Sequence, residues 1–308
     1  GGGSALMTLP AQGLTLKDKQ QTTEVLLGCG ATIHEINTIR KHLSRIKGGL
    51  LAKAVYPASM ICLVLSDLVG DDLDIIASGP AVADTGTFGQ CLEIIETHDI
   101  KDCLPGPVLQ HLEKGLKGHI LETPKKGHPV FGNVFHTIIA NNTTALLSAE
   151  KKANHLGYQS LVLSSMIEGE TIDAAAVHTA IARQILATGN PLKPPACILS
   201  GGETTVTIKG SGKGGRNQEF ALACALKIKD LEHVVILSAG TDGTDGPTDA
   251  AGAIADHTTI QRAVAFSLMP EQFLKENNAY PFFDQISDLF KTGPTNTNVM
   301  DIRVMLIR

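Results

Sequence analysis

Residues 210–219 read GSGKGGRNQE, and this glycine-rich stretch leads into residues with the apolar spacing of a buried helix face. Glycines let the backbone turn so that several amide N–H groups converge, and the first turn of a helix adds donors with partial positive charge. Lys213 and Arg216 supply full positive charges. The stretch therefore predicts a strand-to-helix connection that binds an anion, and phosphate is the expected ligand.

Two common phosphate-binding patterns fit this stretch incompletely. Gly210, Gly212 and Gly215 satisfy the dinucleotide pattern G-x-G-x-x-G, but the preceding strand is short and polar and no clear acidic partner follows. A Walker A loop needs Ser or Thr after its lysine, whereas Gly214 follows Lys213. A flexible connection with solvated charges therefore stays open as an alternative.

The composition limits the class of protein. The chain has 308 residues, of which 43% are hydrophobic and 19% charged, which is enough for two ordinary domains with substantial cores. The net charge of −5, with no run of Lys and Arg, argues against a nucleic-acid partner. No apolar run reaches the ~20 residues of a membrane span. The 11 histidines show no metal-ligand spacing, so we assign no metal ligands.

The order of apolar and polar segments predicts an α/β protein. Strand and helix patterns alternate over residues 134–187, which is typical of a doubly wound parallel sheet. The apolar run Met60–Leu65 is expected to be a central parallel strand covered on both faces. Residues 98–130 are rich in Gly, Pro and Lys and are expected to form a surface excursion. Prolines at 191, 194 and 195 predict a boundary between domains at 1–190 and 191–308.

Three predicted strands end in small residues followed by a carboxylate: Ser66-Asp67, Ser200-Gly201-Gly202-Glu203 and Ser238-Ala239-Gly240-Thr241-Asp242. Ligands of open α/β sheets bind beyond the carboxyl ends of strands, so we expect these ends to share one edge. Glycine amides, carboxylates and the cations Lys47, Lys213 and Arg216 are the groups that phosphoryl transfer needs.

Two of these groups keep a simpler alternative. Arg40, Arg45 and Lys47 lie toward the C-terminal end of a helix predicted over about residues 32–46, and cations at a helix C-terminus are favourable without any ligand. Asp242, Asp245 and Asp249 lack the spacing of an EF-hand, and Asp-Gly steps often form turns without function.

The sequences of several loops resemble those of the glycerate 2-kinase family. Residues 201–206 (GGETTV), 212–219 (GKGGRNQE), 240–248 (GTDGTDGPT) and 292–299 are similar to its C-terminal MOFRL domain. Residues 1–6 (GGGSAL), 42–49, 65–71 and 76–80 (IASGP) are similar to its larger domain. The resemblance implies a Rossmann-like doubly wound domain, a second smaller α/β domain and a cleft between them.

The resemblance also implies a reaction: transfer of the γ-phosphoryl group of ATP, with Mg²⁺, to the 2-hydroxyl of D-glycerate. Together with the chemistry of the side chains it implies that Asp67 orients or deprotonates the hydroxyl. Arg216, with Arg40 as a second candidate, would bind the glycerate carboxylate or the γ-phosphate, and Lys47 would neutralise phosphate charge. The nucleotide would be bound by a larger set of residues: Gly1, Gly2, Gly3, Ser4, Gly201, Gly202, Glu203, Lys213, Gly214, Gly215, Thr241, Asp242 and Asp245.

The sequence also leaves two other functions open and gives expectations for the partners and the location of the protein. A hydroxypyruvate reductase and a non-catalytic phosphate-binding fragment remain as other functions. The chain starts with a glycine loop and no initiator methionine, so we expect further residues before Gly1. We expect small-molecule partners only, with a homo-oligomer as an option. A cytoplasmic location is expected, with a mitochondrial one as the alternative.

Overall fold

A computed structural model describes residues 3–308 of the chain and divides it into two compact units. The first unit contains residues up to 64 together with 71–137, and the second contains 65–70 together with 138–308. The predicted boundary at residue 191 falls inside the second unit. No helix in residues 3–308 is both long enough and apolar enough to cross a membrane.

The first unit is mainly helical. Its helices α2, α3, α5 and α6 enclose a core that includes Leu26, Ile39, Phe88 and Leu112. Strands β1 and β2 form a two-stranded sheet, and the division between the units falls within both. The elements are α1 (Gly3–Leu6), α2 (Leu16–Gly28), α3 (Ile33–His42), α4 (Leu50–Val55), β1 (Met60–Leu65), α5 (Phe88–Thr97), α6 (Gly106–Leu116) and β2 (Val134–Ala140).

Helix α2 begins after Thr15, whose hydroxyl accepts the amide N–H of Asp18 and closes a capping box. Two predictions from the sequence can be compared with this unit. The prediction that residues 98–130 form only a surface excursion is wrong, since α6 buries Val108 and Leu112. The prediction that both faces of β1 are covered is also wrong for residues 3–308, because Ile61 and Leu63 are 73% and 67% exposed.

The second unit is built on a six-stranded sheet in the order β3-β4-β8-β5-β6-β7. Strands β3 and β4 are parallel, and β8 lies antiparallel between β4 and β5. The sheet is therefore mixed. The elements are α7 (Asn142–His155), β3 (Gln159–Ile167), α8 (Thr171–Thr188), β4 (Ala196–Gly202), α9 (Arg216–Ile228), β5 (Val234–Gly240), β6 (Gly252–Asp256), α10 (Thr259–Ala265), α11 (Pro270–Lys275), α12 (Ala279–Gln285), β7 (Leu289–Phe290) and β8 (Asp301–Ile307).

Helices cover both faces of this sheet. Ile198 and Ile236 pack with Phe220 of α9 and Ala182 of α8, whereas Leu199 on the opposite face packs with Leu146 of α7. Successive residues of a strand point to opposite faces, so a strand covered on both sides, such as β4, buries all of its side chains. The α/β class is confirmed, and the central strands present their ends to the loops that carry the site.

Candidate functional site

Strands β4 and β5 end on either side of the first residue of β8. Asp301 is paired with Gly202 in β4 and with Gly240 in β5. Because β8 runs antiparallel to both, its beginning coincides with their carboxyl ends. The expected shared edge is confirmed for β4 and β5, but β1, the third strand of that expectation, belongs to the two-stranded sheet. The loops after them, including Glu203 and Thr241, start at this edge.

An internal carboxylate occupies the N-terminus of α9, where the sequence predicts a bound anion. The two oxygens of Asp245 accept the amide N–H groups of Asn217 (3.0 Å) and Gln218 (2.9 Å). Asp245 is 3% exposed. Burial raises the pKa of Asp245 to about 6, although these two amides favour the ionised form. A Cβ added at Gly215 would overlap this carboxyl group, so the close approach explains the glycine.

The preceding glycine loop packs against residues 276–280. The amides of Gly210, Gly212 and Lys213 donate to Asn277 Oδ1, Glu276 O and Asn278 Oδ1 at 2.9–3.0 Å. The Lys213 ammonium lies 4.4 Å from the centre of the Tyr280 ring. These groups are therefore committed to internal partners. The assignment of Lys213, Gly214 and Gly215 to the nucleotide stays a prediction, and within residues 3–308 the amides of Ser211, Gly214 and Gly215 in this loop donate to no internal acceptor.

Arg216, at the start of α9, is held by two carboxylates. Its Nε donates to Asp301 Oδ2 (2.7 Å), its Nη2 to Asp301 Oδ1 (3.1 Å) and its Nη1 to Glu203 Oε1 (2.7 Å). Burial alone would lower the pKa of Arg216, but the hydrogen bonds and charge of Asp301 raise it overall. Three of its five N–H groups are thus used. The predicted clamp has two N–H groups left for a ligand.

Asp301 is the residue of this site that the sequence analysis missed. It is fully buried, and Oδ1 also accepts a hydrogen bond from Asn217 Nδ2 at 2.9 Å. Arg303, 2% exposed, lies on the same face of β8 with one nitrogen 3.6 Å from Asp301 Oδ2. The available signal was two charges at alternate positions of a strand whose later alternate positions, Met305 and Ile307, are apolar.

Gly201 and Gly202, which are predicted to bind the nucleotide, are the last two residues of β4 and pack closely against other parts of the chain. Asn142 Nδ2 donates to the carbonyls of Val299 and Asp301, both at 2.8 Å, and a Cβ at Gly201 would overlap the Asn142 side chain. Gly202 has φ 119°, a conformation that side chains disfavour. These contacts explain both glycines without a ligand.

The loop after β5 is tied to the segment that leads into β8. Thr241 Oγ1 donates to Met300 O (2.6 Å) and accepts from Val299 N (2.8 Å). Asp242 Oδ1 accepts the amide of Thr244 (2.9 Å), and within residues 3–308 Oδ2 accepts no hydrogen bond. The Thr241 hydroxyl therefore has two internal partners and its assignment to the nucleotide stays a prediction, whereas Asp242 keeps one oxygen for a ligand.

Asp67 is exposed and belongs to the second unit. It follows the buried Ser66, whose amide donates to Ala140 O at 3.0 Å. The Asp67 carboxylate makes no hydrogen bond or ion pair with residues 3–308. Its oxygens can therefore accept a proton or a ligand.

Lys47 is buried in the first unit with its three donors satisfied. Its ammonium donates to Ser4 O (3.1 Å), Ser4 Oγ (3.2 Å) and Ala77 O (3.0 Å). Burial lowers the pKa of Lys47 to about 8, with a further contribution from the positive charges of Lys19 and Arg40. Gly3 and Ser4 lie in α1, and the predicted residues Gly1 and Gly2 lie outside the described residues. Direct contact of Lys47 with phosphate stays a prediction.

A separate basic cavity lies in the first unit. Its volume is about 830 Å³, and Arg45, Lys53, Lys114 and His119 are among the side chains that line it. No residue predicted for the site is among its lining residues. In residues 3–308 no group of three or more His, Cys, Asp and Glu side chains is arranged to bind a metal ion.

Two family models match the chain. A domain of unknown function (DUF4147) matches residues 1–113, and the MOFRL family matches residues 196–301, which include the β4, β5 and β8 edge. The chain is thus an α/β protein with a MOFRL domain.

Relatives of known activity are similar along the whole chain. A glycerate 2-kinase of Pyrococcus horikoshii is 45% identical over 308 residues, which are 100% of this chain and 69% of that protein. A D-glycerate 2-kinase of Thermotoga maritima is 42% identical, with 100% and 70% covered. A crystal structure of glycerate kinase from Thermotoga maritima matches with a TM-score of 0.91 at 41% identity, covering 99% of this chain and 71% of that chain. The chain belongs to the glycerate kinase family.

Proposed function

We propose that this chain carries the glycerate 2-kinase reaction, in which the γ-phosphoryl group of ATP is transferred to the 2-hydroxyl of D-glycerate. The observation that carries the proposal is the 45% identity to a glycerate 2-kinase over all 308 residues. Phosphoryl transfer depends on positioning and charge stabilisation more than on covalent chemistry. The β4, β5 and β8 edge supplies groups suited to both tasks.

Asp67 is the proposed base or orienting group for the glycerate hydroxyl. Its carboxylate is exposed and has no partner in residues 3–308, so a substrate hydroxyl can reach it. Arg216 is the proposed anion-binding group, and its guanidinium is oriented by the buried Asp301 and also contacts the exposed Glu203. Lys47, whose ammonium donates to Ser4 of α1 and to Ala77, is proposed to neutralise phosphate charge.

Mg²⁺ is proposed to arrive with the nucleotide. Magnesium at kinase sites is bound by one or two carboxylates and by substrate phosphates. The free oxygen of Asp242 fits that need, and the described residues contain no group of three or more acidic, His or Cys side chains arranged for a metal ion. The ion would neutralise charge on the phosphates of ATP.

A cytoplasmic location is the accompanying proposal. All six cysteines are free, which suits a reducing compartment. Fluorescence microscopy of the tagged protein in its own cells tests this directly, and a signal confined to mitochondria would support the other compartment.

The reaction is tested by coupled release of ADP with D-glycerate and MgATP, with the position of the phosphate read by ³¹P and ¹H NMR. We expect 2-phosphoglycerate, and an Asp67→Asn variant should lose about 100-fold or more in kcat because a proton acceptor is removed. Asp230→Asn, an exposed aspartate of the same unit, is the control and should be unchanged. Turnover of hydroxypyruvate with NADH, or Asp67→Asn activity within a few-fold of the parent, would contradict the proposal.

A further inference from the structure

The two sides of the Arg216 guanidinium differ in how permanently they are occupied. Nε and Nη2 bind Asp301, whose side chain is 0% exposed, while Nη1 binds Glu203, whose side chain is 45% exposed. A buried carboxylate that pairs with a cation cannot leave without uncovering charge, whereas an exposed one exchanges readily with water. Only the contact with Glu203 can therefore give way to a ligand.

Glu203 is attached in a way that permits this exchange. It is the first residue after β4, so its backbone begins at a fixed strand end, while its exposed side chain has no partner in residues 3–308 other than Arg216. Asp301 meanwhile fixes the guanidinium through two hydrogen bonds. Rotation of the Glu203 side chain would free Nη1 without moving Arg216.

We propose that Glu203 is an internal competitor for the anionic substrate: its carboxylate occupies Nη1 of Arg216 until a carboxylate or phosphoryl group of the substrate displaces it. This inference rests on the proposed role of Arg216 in binding the substrate. The chemistry is matched, because the carboxylate of a hydroxy acid accepts the same charge-assisted hydrogen bond as the carboxylate of Glu203. Asp301 is then a positioning residue that orients the arginine in both states.

The size of the effect follows from the strength of an exposed ion pair. Such a pair is populated roughly two- to five-fold over its open form. If a ligand binds only the open form, its apparent affinity is reduced by a factor of one plus that ratio. Removing the Glu203 carboxylate should therefore tighten binding of a small anion by about three- to six-fold.

The test measures binding of D-glycerate and of inorganic phosphate to the chain by isothermal titration calorimetry in low salt, without ATP. Low salt is used because screening weakens exposed charge pairs. We expect Glu203→Gln to bind the probes about three- to six-fold more tightly than the parent. Glu232→Gln is the matched control, because Glu232 is 79% exposed and follows the opposite end of α9. Its affinity should equal that of the parent.

Three results would overturn the inference: unchanged or weaker binding by Glu203→Gln, equal tightening by the control variant, or no binding of either probe by any variant. The outcome is separable from the proposed function. Tighter glycerate binding by Glu203→Gln in a protein that does not phosphorylate glycerate refutes the kinase proposal and keeps this inference. Normal turnover without tightening refutes this inference and keeps the kinase proposal.

Discussion

Replacing Asp301 by Asn should strongly destabilise the second unit. Asp301 is fully buried at the start of β8 and faces Arg216, Arg303 and the side-chain amide of Asn217. Asn keeps the size of the side chain but removes its charge. The NH2 group of Asn would face N–H donors that now bind a carboxylate oxygen of Asp301, so at least one donor would lose its acceptor. Both arginines would lose their shared buried counter-charge.

The magnitude follows from the burial of the pair. Removing one partner of a buried ion pair costs about 3–5 kcal/mol, because the remaining charge stays out of water without compensation. Glu203→Gln removes the other partner of Arg216, but that carboxylate is 45% exposed. An exposed pair contributes less than about 1 kcal/mol. We therefore expect a large loss of stability when the buried partner of Arg216 is changed and a small loss when its exposed partner is changed.

Urea unfolding followed by far-UV circular dichroism measures the difference. With a urea m-value of about 3 kcal/mol/M, the midpoint of Asp301→Asn should fall by about 1–2 M. The midpoint of Glu203→Gln should fall by less than about 0.3 M. A loss below about 1 kcal/mol for Asp301→Asn, or equal losses for both variants, would refute the idea that Asp301 is the structural counter-charge.

Three further outcomes are expected. Burial lowers the pKa of His178 from 6.5 to about 4, so its contribution to stability is complete above pH 6.5 and is lost as pH falls through about 4. The loss is roughly 3 kcal/mol, and urea midpoints between pH 7 and 4 measure it against a His178→Gln variant, which should lack this step. Because the pKa of Asp245 is raised, its contribution to stability has the opposite pH dependence: it is complete below pH 3.8 and is lost as pH rises through about 6. A ¹³C titration of the Asp245 carboxyl group should therefore have its midpoint near 6. Gly215→Ala should cost about 1–3 kcal/mol in urea unfolding because the methyl group overlaps Asp245, whereas Gly132→Ala, with open space around it, should stay within about 0.5 kcal/mol.

Local patterns of the sequence were sufficient for many elements and for the family. Thr15 and Asp18, three residues apart, specify the start of α2 through a local capping box. The shared edge of β4 and β5 followed from a general property of α/β sheets. The sequences of the motifs indicated the glycerate kinase family, and the similarity to glycerate kinases in sequence and structure confirms it.

Helix α6 and strand β1 show where local patterns were insufficient. The Gly, Pro and Lys content of residues 98–130 concealed Val108 and Leu112, whose spacing of four places them on one buried helix face. The apolar run of β1 indicated a strand but not its neighbours, and exposure depends on those neighbours.

The site depended most on contacts between distant residues. A glycine loop before a helix attracts a negative charge, and the sequence identifies that property correctly. It does not identify which charge arrives: Asp245 lies 28 residues from Asn217, and Asp301 lies 85 residues from Arg216. Partners this far apart meet only when β5 and β8 pair, because strand register and burial bring their carboxylates to the start of α9. The local sequence thus specified groups that bind anions. The folded sheet determined that two internal carboxylates occupy most of these groups.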